Sequence, residues 1–244
     1  MIQVMQADPS SGALAGRVAL VSGANRGLGL AVARGVAERG ATVYVGARDP
    51  TAGEAAAAAL RADGLGVFAL PLDVTDHASL AAAVAAIEAA HGRLDILVNN
   101  AGVLVYDNAL GFDPDTADRF WKINVLGAWI LAAAAVPLMR PNRWGRIVNV
   151  SSEMGSLAGM GASAPSYRVS KAALNAVTRV LAAELEGSGI LVNSVSPGWV
   201  RTEMGGPTAP RSIEQGCASI LWGVDLPDGG PSGGFFQDGA PLPW

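Results

Sequence analysis

Lysine, histidine, cysteine and tyrosine are all scarce in this chain, and each scarcity narrows what it can be. Cys217 is the only cysteine, so no disulfide can form within the chain, which suits a reducing compartment. The two histidines, His77 and His91, lie far in sequence from every motif below. Neither a Cys/His zinc site nor a histidine-based triad is expected, and no metal ligand is assigned. No block of basic residues is present and the formal charge is −4, which argues against nucleic acid as a partner. Residues 1–13 hold neither a basic segment nor an apolar run, so no signal peptide is expected. The longest apolar run, 128–139, is interrupted by Pro137 and is too short for a bilayer, so it reads as a buried helix. The expectation is a soluble, cytoplasmic protein with no membrane partner.

What is abundant is apolar residue, half of 244, enough for one α/β domain with a large core. Short β-rich runs at 18–22, 42–45, 67–70, 94–99, 145–150 and 190–195 alternate with helix-forming stretches at 28–39, 51–63, 76–90, 114–138 and 165–186. A shorter helix is expected near 209–221 and a last strand near 234–236. This alternation predicts βαβ units, a doubly wound, mainly parallel sheet with helices on both faces: a single-domain Rossmann fold. Residues 14–244 are read as that one domain, preceded by a flexible tail at 1–13.

The first strand runs into Ser22-Gly23-Ala24-Asn25-Arg26-Gly27-Leu28-Gly29, which opens the first helix. Glycines there let backbone N–H groups approach a pyrophosphate, and the helix N-terminus favours its negative charge. The second strand ends Val45-Gly46-Ala47-Arg48 with no carboxylate to hold a ribose 2′-hydroxyl. Arg48 instead suits a 2′-phosphate, with Arg26 from the glycine loop on its other side. NADP(H) is therefore the expected cofactor. Asp49, followed by Pro50, reads as a helix N-cap.

One of only two lysines, Lys171, stands four residues after Tyr167 in a helix-forming stretch. Residues i and i+4 share one helix face. An ammonium beside a phenol favours the phenolate and lowers its pKa, which makes the tyrosine a candidate general acid or base.

With these residues in view, the chain resembles the classical short-chain dehydrogenases/reductases from about residue 14 to its C-terminus. The tail 234–241, Gly-Phe-Phe-Gln-Asp-Gly-Ala-Pro, looks most like the carbonyl-reductase-like branch. The resemblance implies that Asp73 and Val74 contact an adenine ring. It implies that Asn100, Ala101 and Gly102, after Asn99, line the cofactor site. It makes Asn124 a helix-disturbing residue that orders a water behind Lys171. Ser152 becomes the catalytic serine, with Ser151 its alternative, and an extra loop is implied at 153–165. Pro197, Gly198, Val200 and Thr202 are then cofactor contacts, the last two at the nicotinamide carboxamide.

The implied reaction is reduction of a ketone or aldehyde by NADPH. In it Tyr167 donates the proton, Ser152 fixes the carbonyl oxygen, and Lys171 holds the ribose and tunes the phenol. Tyr106, Met154, Leu157, Met160, Trp199 and Met204 suggest a pocket for an apolar or aromatic small-molecule carbonyl substrate. Reduction of an imine or an activated C=C bond, and a non-catalytic NADP(H)-sensing regulator, are the competing readings. The alanine-rich helix at 172–183 suggests a homo-oligomer.

Overall fold

Strand β1, Val18–Ser22, is buried along its whole length, which only a strand covered on both faces can be. Ala19 and Val21 point to one layer of core and Val18 and Leu20 to the other, as the two-residue period of a strand requires. The computed structural model describes residues 12–244. The expected tail therefore lies outside the described residues except for Gly12 and Ala13.

Seven further strands follow: β2 Thr42–Ala47, β3 Val67–Pro71, β4 Ile96–Asn99, β5 Gly145–Val150, β6 Ile190–Val195, β7 Phe235–Gln237 and β8 Ala240–Pro241. They form one sheet in the order β3-β2-β1-β4-β5-β6-β7-β8, parallel throughout except for the β7–β8 pair. The order reverses between β1 and β4, where an open α/β sheet forms its ligand crevice outside the strands' carboxyl ends. The expected doubly wound fold is what the chain adopts. Antiparallel β8 was not anticipated, although its signal is in the sequence. Asp238-Gly239 takes φ of 51° and 78°, the paired positive values that a tight hairpin turn needs.

The helices are α1 Gly27–Glu38, α2 Pro50–Ala62, α3 His77–His91, α4 Pro114–Trp121, α5 Gly127–Met139, α6 Pro165–Glu184 and α7 Ile213–Val224. Helices α1, α2 and α7 cover one face of the sheet through Val32, Val36, Leu60, Ile220 and Val224. Helices α3, α5 and α6 cover the other through Leu80, Ile87, Leu131, Ala135, Val177 and Leu181. Burial of each large aliphatic side chain contributes about 1.5–3 kcal/mol. Local signals set the ends. Asp49 caps α2 by accepting from the Thr51 and Ala52 N–H groups at 2.9 and 3.2 Å, and Asp76 caps α3 by accepting from Ala78 at 2.9 Å. Gly92, φ 65°, stops α3. Helix α7 starts at 213 rather than near 209 because Ser212 and Gln215 form a reciprocal capping box.

The stretch expected to be one helix over 114–138 is interrupted. A π-helical turn, Lys122–Leu126, separates α4 from α5 and centres on Asn124. With the short 3₁₀ turn Arg140–Asn142, the helical run Pro114–Asn142 is longer than its apolar segment suggested, and length and hydropathy alone would let it cross a membrane. More than half of its most apolar window is instead buried inside the protein, so it is a core helix. Gly127, just after the π turn, allows it to sit against the loop that follows β3: a Cβ there would lie 2.4 Å from the Val74 carbonyl oxygen and 2.9 Å from Val74 Cβ. Gly127→Ala should therefore lower stability by about 1–3 kcal/mol through overpacking, measured as a shift in urea midpoint at unchanged m-value.

Candidate active site

The glycine loop is held by a buried hydroxyl. Ser22 Oγ, at the end of β1, accepts hydrogen bonds from the Asn100 and Ala101 N–H groups, each at 3.1 Å. Asn100 answers by donating its amide to the carbonyls of Ser22 and Gly23 at 2.9 and 3.1 Å. The carboxyl ends of β1 and β4 are thereby locked together across the topological switch point. A Cβ on Gly29 would fall 2.4 Å from Asn100 Nδ2, and one on Gly23 3.0 Å from Ala101 Cα, so neither position tolerates a side chain. Gly27 differs: at φ 54° it faces open space, with only Thr202 Cγ2 as near as 3.9 Å to an added Cβ. Helix α1 begins at Gly27 with no capping side chain from Arg26, so its first-turn N–H groups lack a side-chain acceptor. Leu28 turns back into the core, and Asn25 stands in the loop between. A cleft walled by bare backbone at a helix N-terminus fits a dinucleotide pyrophosphate.

At the adenosine end, Arg48 follows β2 and is exposed. Asp73 sits after β3 within reach of its field. Partial burial works to raise the Asp73 pKa, but hydrogen bonds from the Thr75 amide and hydroxyl and the charge of Arg48 outweigh it, holding the carboxyl below its ordinary range. Val74 packs against the start of α5. The Arg26 guanidinium lies 2.6 Å from Glu203, in the loop after β6, with both side chains largely exposed. Pairing within a sequence window cannot reveal a partner 177 positions away.

The β6 loop closes the cleft's other side. Gly198 takes φ 71° with Arg211 packed on it. Val200 is buried, and its carbonyl accepts from the Thr202 N–H at 2.8 Å. Pro197 leads the chain into this turn.

Tyr167, Lys171 and Ser152 meet where β5 ends. Tyr167 is in the first turn of α6 and buried, with Phe120 edge-on at 6.4 Å between ring centroids and 78° between planes. Ser152 caps the 3₁₀ turn Glu153–Gly155 through its hydroxyl, which accepts from Met154 N–H at 3.2 Å and also adjoins the Tyr167 phenol. Ser151 faces the opposite way: its hydroxyl is buried and donates to Asn175 Oδ1 at 2.7 Å. Asn124 Oδ1 accepts from Val103 N–H at 2.9 Å, and its amide donates to Val103 O and to Ser170 Oγ at 3.1 and 3.0 Å. Ser170 in turn donates to the Tyr167 carbonyl at 2.7 Å, linking the π turn to the tyrosine. A Cβ on Gly102 would lie 3.3 Å from Asn124 Oδ1 and 3.6 Å from Lys171 Nζ, which places all three at one point.

The expected lowering of the phenol by the ammonium is corrected. Lys171 Nζ lies 5.6 Å from the Tyr167 ring centre, but it donates to the Val150 carbonyl at 2.8 Å. Burial pushes Tyr167 up to about 12, with the Ser152 hydrogen bond working against it. Burial also pushes Lys171 down to about 8. Removal from water outweighs the pairwise attraction that helical spacing suggests.

The surroundings of Tyr167 are apolar. Met154, Val103 and Leu104 pack around Tyr167, Phe120 and Ala164. Tyr106, Leu157, Met160, Trp199 and Met204 are exposed on three loops around this cluster. Sequence reasoning missed Phe120, Ser170 and Asp107. Asp107 accepts from the Ser166 hydroxyl and from its N–H, so the loop after β4 caps α6, whose own N-cap residue Ala164 has no capping side chain. No local signal links these partners.

Burial makes Lys171 release its proton more readily in the fold than in the unfolded chain. Between about pH 8 and its ordinary 10.5 the unfolded chain carries a proton that the folded chain does not, so this group adds stability as pH rises through that window. Denaturant unfolding at pH 7.5 and 10 should show wild type gaining about 1–3 kcal/mol relative to Lys171→Met.

Residues 17–212 match the family described as short chain dehydrogenase. Oxidoreductase UcpA of Salmonella typhimurium is 40% identical over 212 residues, covering 86% of this chain and 79% of that protein. Carbonyl reductase [NADPH] 1 of Sus scrofa is 34% identical over 275 residues, covering 93% and 94%. Among solved structures, NADPH-bound carbonyl reductase from chicken fatty liver superposes with a TM-score of 0.86 at 28% identity, covering 95% of this chain and all of that one. A gluconate 5-dehydrogenase from Burkholderia cenocepacia, in complex with NADP and tartrate, gives 0.83 at 28%, covering 93% and 95%. The fold, the glycine loop and these relatives agree, and the chain belongs to the short-chain dehydrogenase/reductase family of oxidoreductases, with carbonyl reductases among its relatives.

Proposed function

We propose that the protein reduces a ketone or aldehyde to an alcohol with NADPH, and that residues 14–244 form one dinucleotide-binding domain. The observation that carries this reading is the convergence of Tyr167, Ser152 and Lys171 beside the glycine cleft, at the carboxyl edge of the sheet. A bound reduced nicotinamide supplies the hydride. Tyr167 stays protonated at neutral pH because burial holds its pKa near 12, so a proton is always ready to give. The alkoxide that forms is far more basic than a phenolate, so transfer from Tyr167 runs downhill. Ser152 donates to the same oxygen and holds it in line, an interaction that strengthens as charge develops. Lys171 presents a buried ammonium on the same helix face, positioned for ribose hydroxyls. Asn124, bridged to Ser170, holds the π turn open behind it.

Gly23, Gly27, Gly29 and the first turn of α1 would cradle the pyrophosphate. Asp73 and Val74 would meet the adenine. Pro197, Gly198, Val200 and Thr202 would face the nicotinamide. Arg48 would bind the 2′-phosphate, a choice supported by the NADPH and NADP named for the relatives. The guanidinium of Arg201 donates to the Ala209 and Pro210 carbonyls, Arg168 to the Ser163 carbonyl, and Arg211 pairs with Asp238. Cations near the crevice are thus occupied, which favours an uncharged apolar or aromatic substrate. The protein is proposed to act in the cytoplasm as a homo-oligomer. Val169 and Val180, on one side of α6, and Trp129 on α5 are exposed apolar groups that support association.

Tyr167→Phe should lower kcat by about 10²–10⁴-fold in a carbonyl-substrate assay while NADPH affinity holds; surviving turnover would refute the acid role. Arg48→Ala should weaken NADPH binding about 10–100-fold and leave NADH binding unchanged, by fluorescence titration of each coenzyme.

A further inference from the structure

Ser152 is in the turn after β5, and a residue in a turn is only as well placed as whatever holds the turn. Two buried side chains beneath it have no assigned task. Ser151 is 2% exposed and Asn175 is 3% exposed. Ser151 Oγ donates to Asn175 Oδ1 at 2.7 Å, and Asn175 Nδ2 donates to the Gly155 carbonyl at 3.3 Å. Gly155 closes the 3₁₀ turn that Ser152 caps: its N–H donates to the Ser152 carbonyl at 2.8 Å, while Met154 N–H donates to the Ser152 hydroxyl. The turn is also pressed onto α6. A Cβ on Gly155 would lie 2.8 Å from both the carbonyl carbon and Cβ of Lys171.

Asn175 therefore holds both ends of the turn. Its acceptor takes the residue before Ser152, and its donor takes the residue that ends the turn. It lies one helical turn after Lys171, on the same face of α6. The extended backbone that continues past β5 sends Ser151 inward to Asn175 and Ser152 outward to the phenol.

We propose that Asn175, acting with Ser151, is a positioning residue that fixes the Ser152 hydroxyl relative to Tyr167 and Lys171. The inference rests on the catalytic reading of Ser152 given above. Neither side chain touches the crevice, so their effect must pass through Ser152. Misplacement of a reacting group by about 1 Å costs on the order of 10²-fold in rate.

The test is a double-mutant cycle on kcat, with coenzyme affinity and the unfolding midpoint measured on the same proteins. Asn175→Ala should lower kcat about 10–100-fold with NADPH affinity changed less than twofold. Ser151→Ala, which keeps Asn175 and the helix intact, should lower it in the same direction and provides the test should Asn175→Ala not fold. In the Ser152→Ala background, either substitution should cost less than threefold more, because the group it positions is gone. A change in packing alone would lower the unfolding midpoint and cost as much in the Ser152→Ala background as in wild type. Wild-type kcat in both single variants, or losses that multiply fully with Ser152→Ala, would overturn the inference while leaving the catalytic reading standing. Wild-type turnover in Ser152→Ala would overturn both.

Discussion

The ammonium of Lys171 has left water and found the carbonyl of Val150 at 2.8 Å. That hydrogen bond joins α6 to the end of β5, and the placement of the site follows from it. A buried lysine without an acceptor would be costly enough to neutralise itself or to unseat the helix. With the acceptor in place, Tyr167 is brought to the crevice one turn earlier and the 3₁₀ turn after β5 is pressed against the same helix. The burial that shifts Lys171 down shifts Tyr167 up, and at neutral pH both leave the phenol protonated and the lysine charged, as the proposed reduction requires.

Buried polar groups gather at both ends of the strands, with Asp95 and Arg146 at the amino ends and the site's framework at the carboxyl ends. Ser22 and Asn100 tie β1 to β4. Asn99 donates to Asn149, Asn149 to Thr178, and Thr178 shares a hydrogen bond with Ser194, a chain that crosses β4, β5, α6 and β6. Between the two ends the strands are nearly all aliphatic. The sheet supplies a rigid apolar base, and the hydrogen-bonded rim sets the positions of the groups that act. Hydrophobic packing is tolerant of direction. Hydrogen bonds among buried groups are not, because an unmatched partner costs about 1–3 kcal/mol.

Much of this was legible before any coordinates. The alternation of β-rich runs and helices located every parallel strand, and Asp49, Asp76 and Gly92 mark their helix ends through local bonding alone. The Tyr167–Lys171 spacing put both on one helix face. Other features needed partners distant in sequence. The ion pair of Arg26 with Glu203 could not be read locally, because its partner lies far down the chain. The phenol was read as acidified because spacing reports proximity but not desolvation. Asn124 could be singled out as a poor helix residue, yet the π turn and its bond to Ser170 belong to packing.

The sequence by itself determined the order and type of the elements, β8 and the π turn excepted, and the doubly wound topology. Those depend on periodicity, caps and glycines, which act within a few positions. Only the tertiary structure decided which serine faces the phenol and whether burial or charge governs the tyrosine. Each of those is settled by desolvation and by contacts between segments distant in sequence, and neither is written in any one stretch of chain.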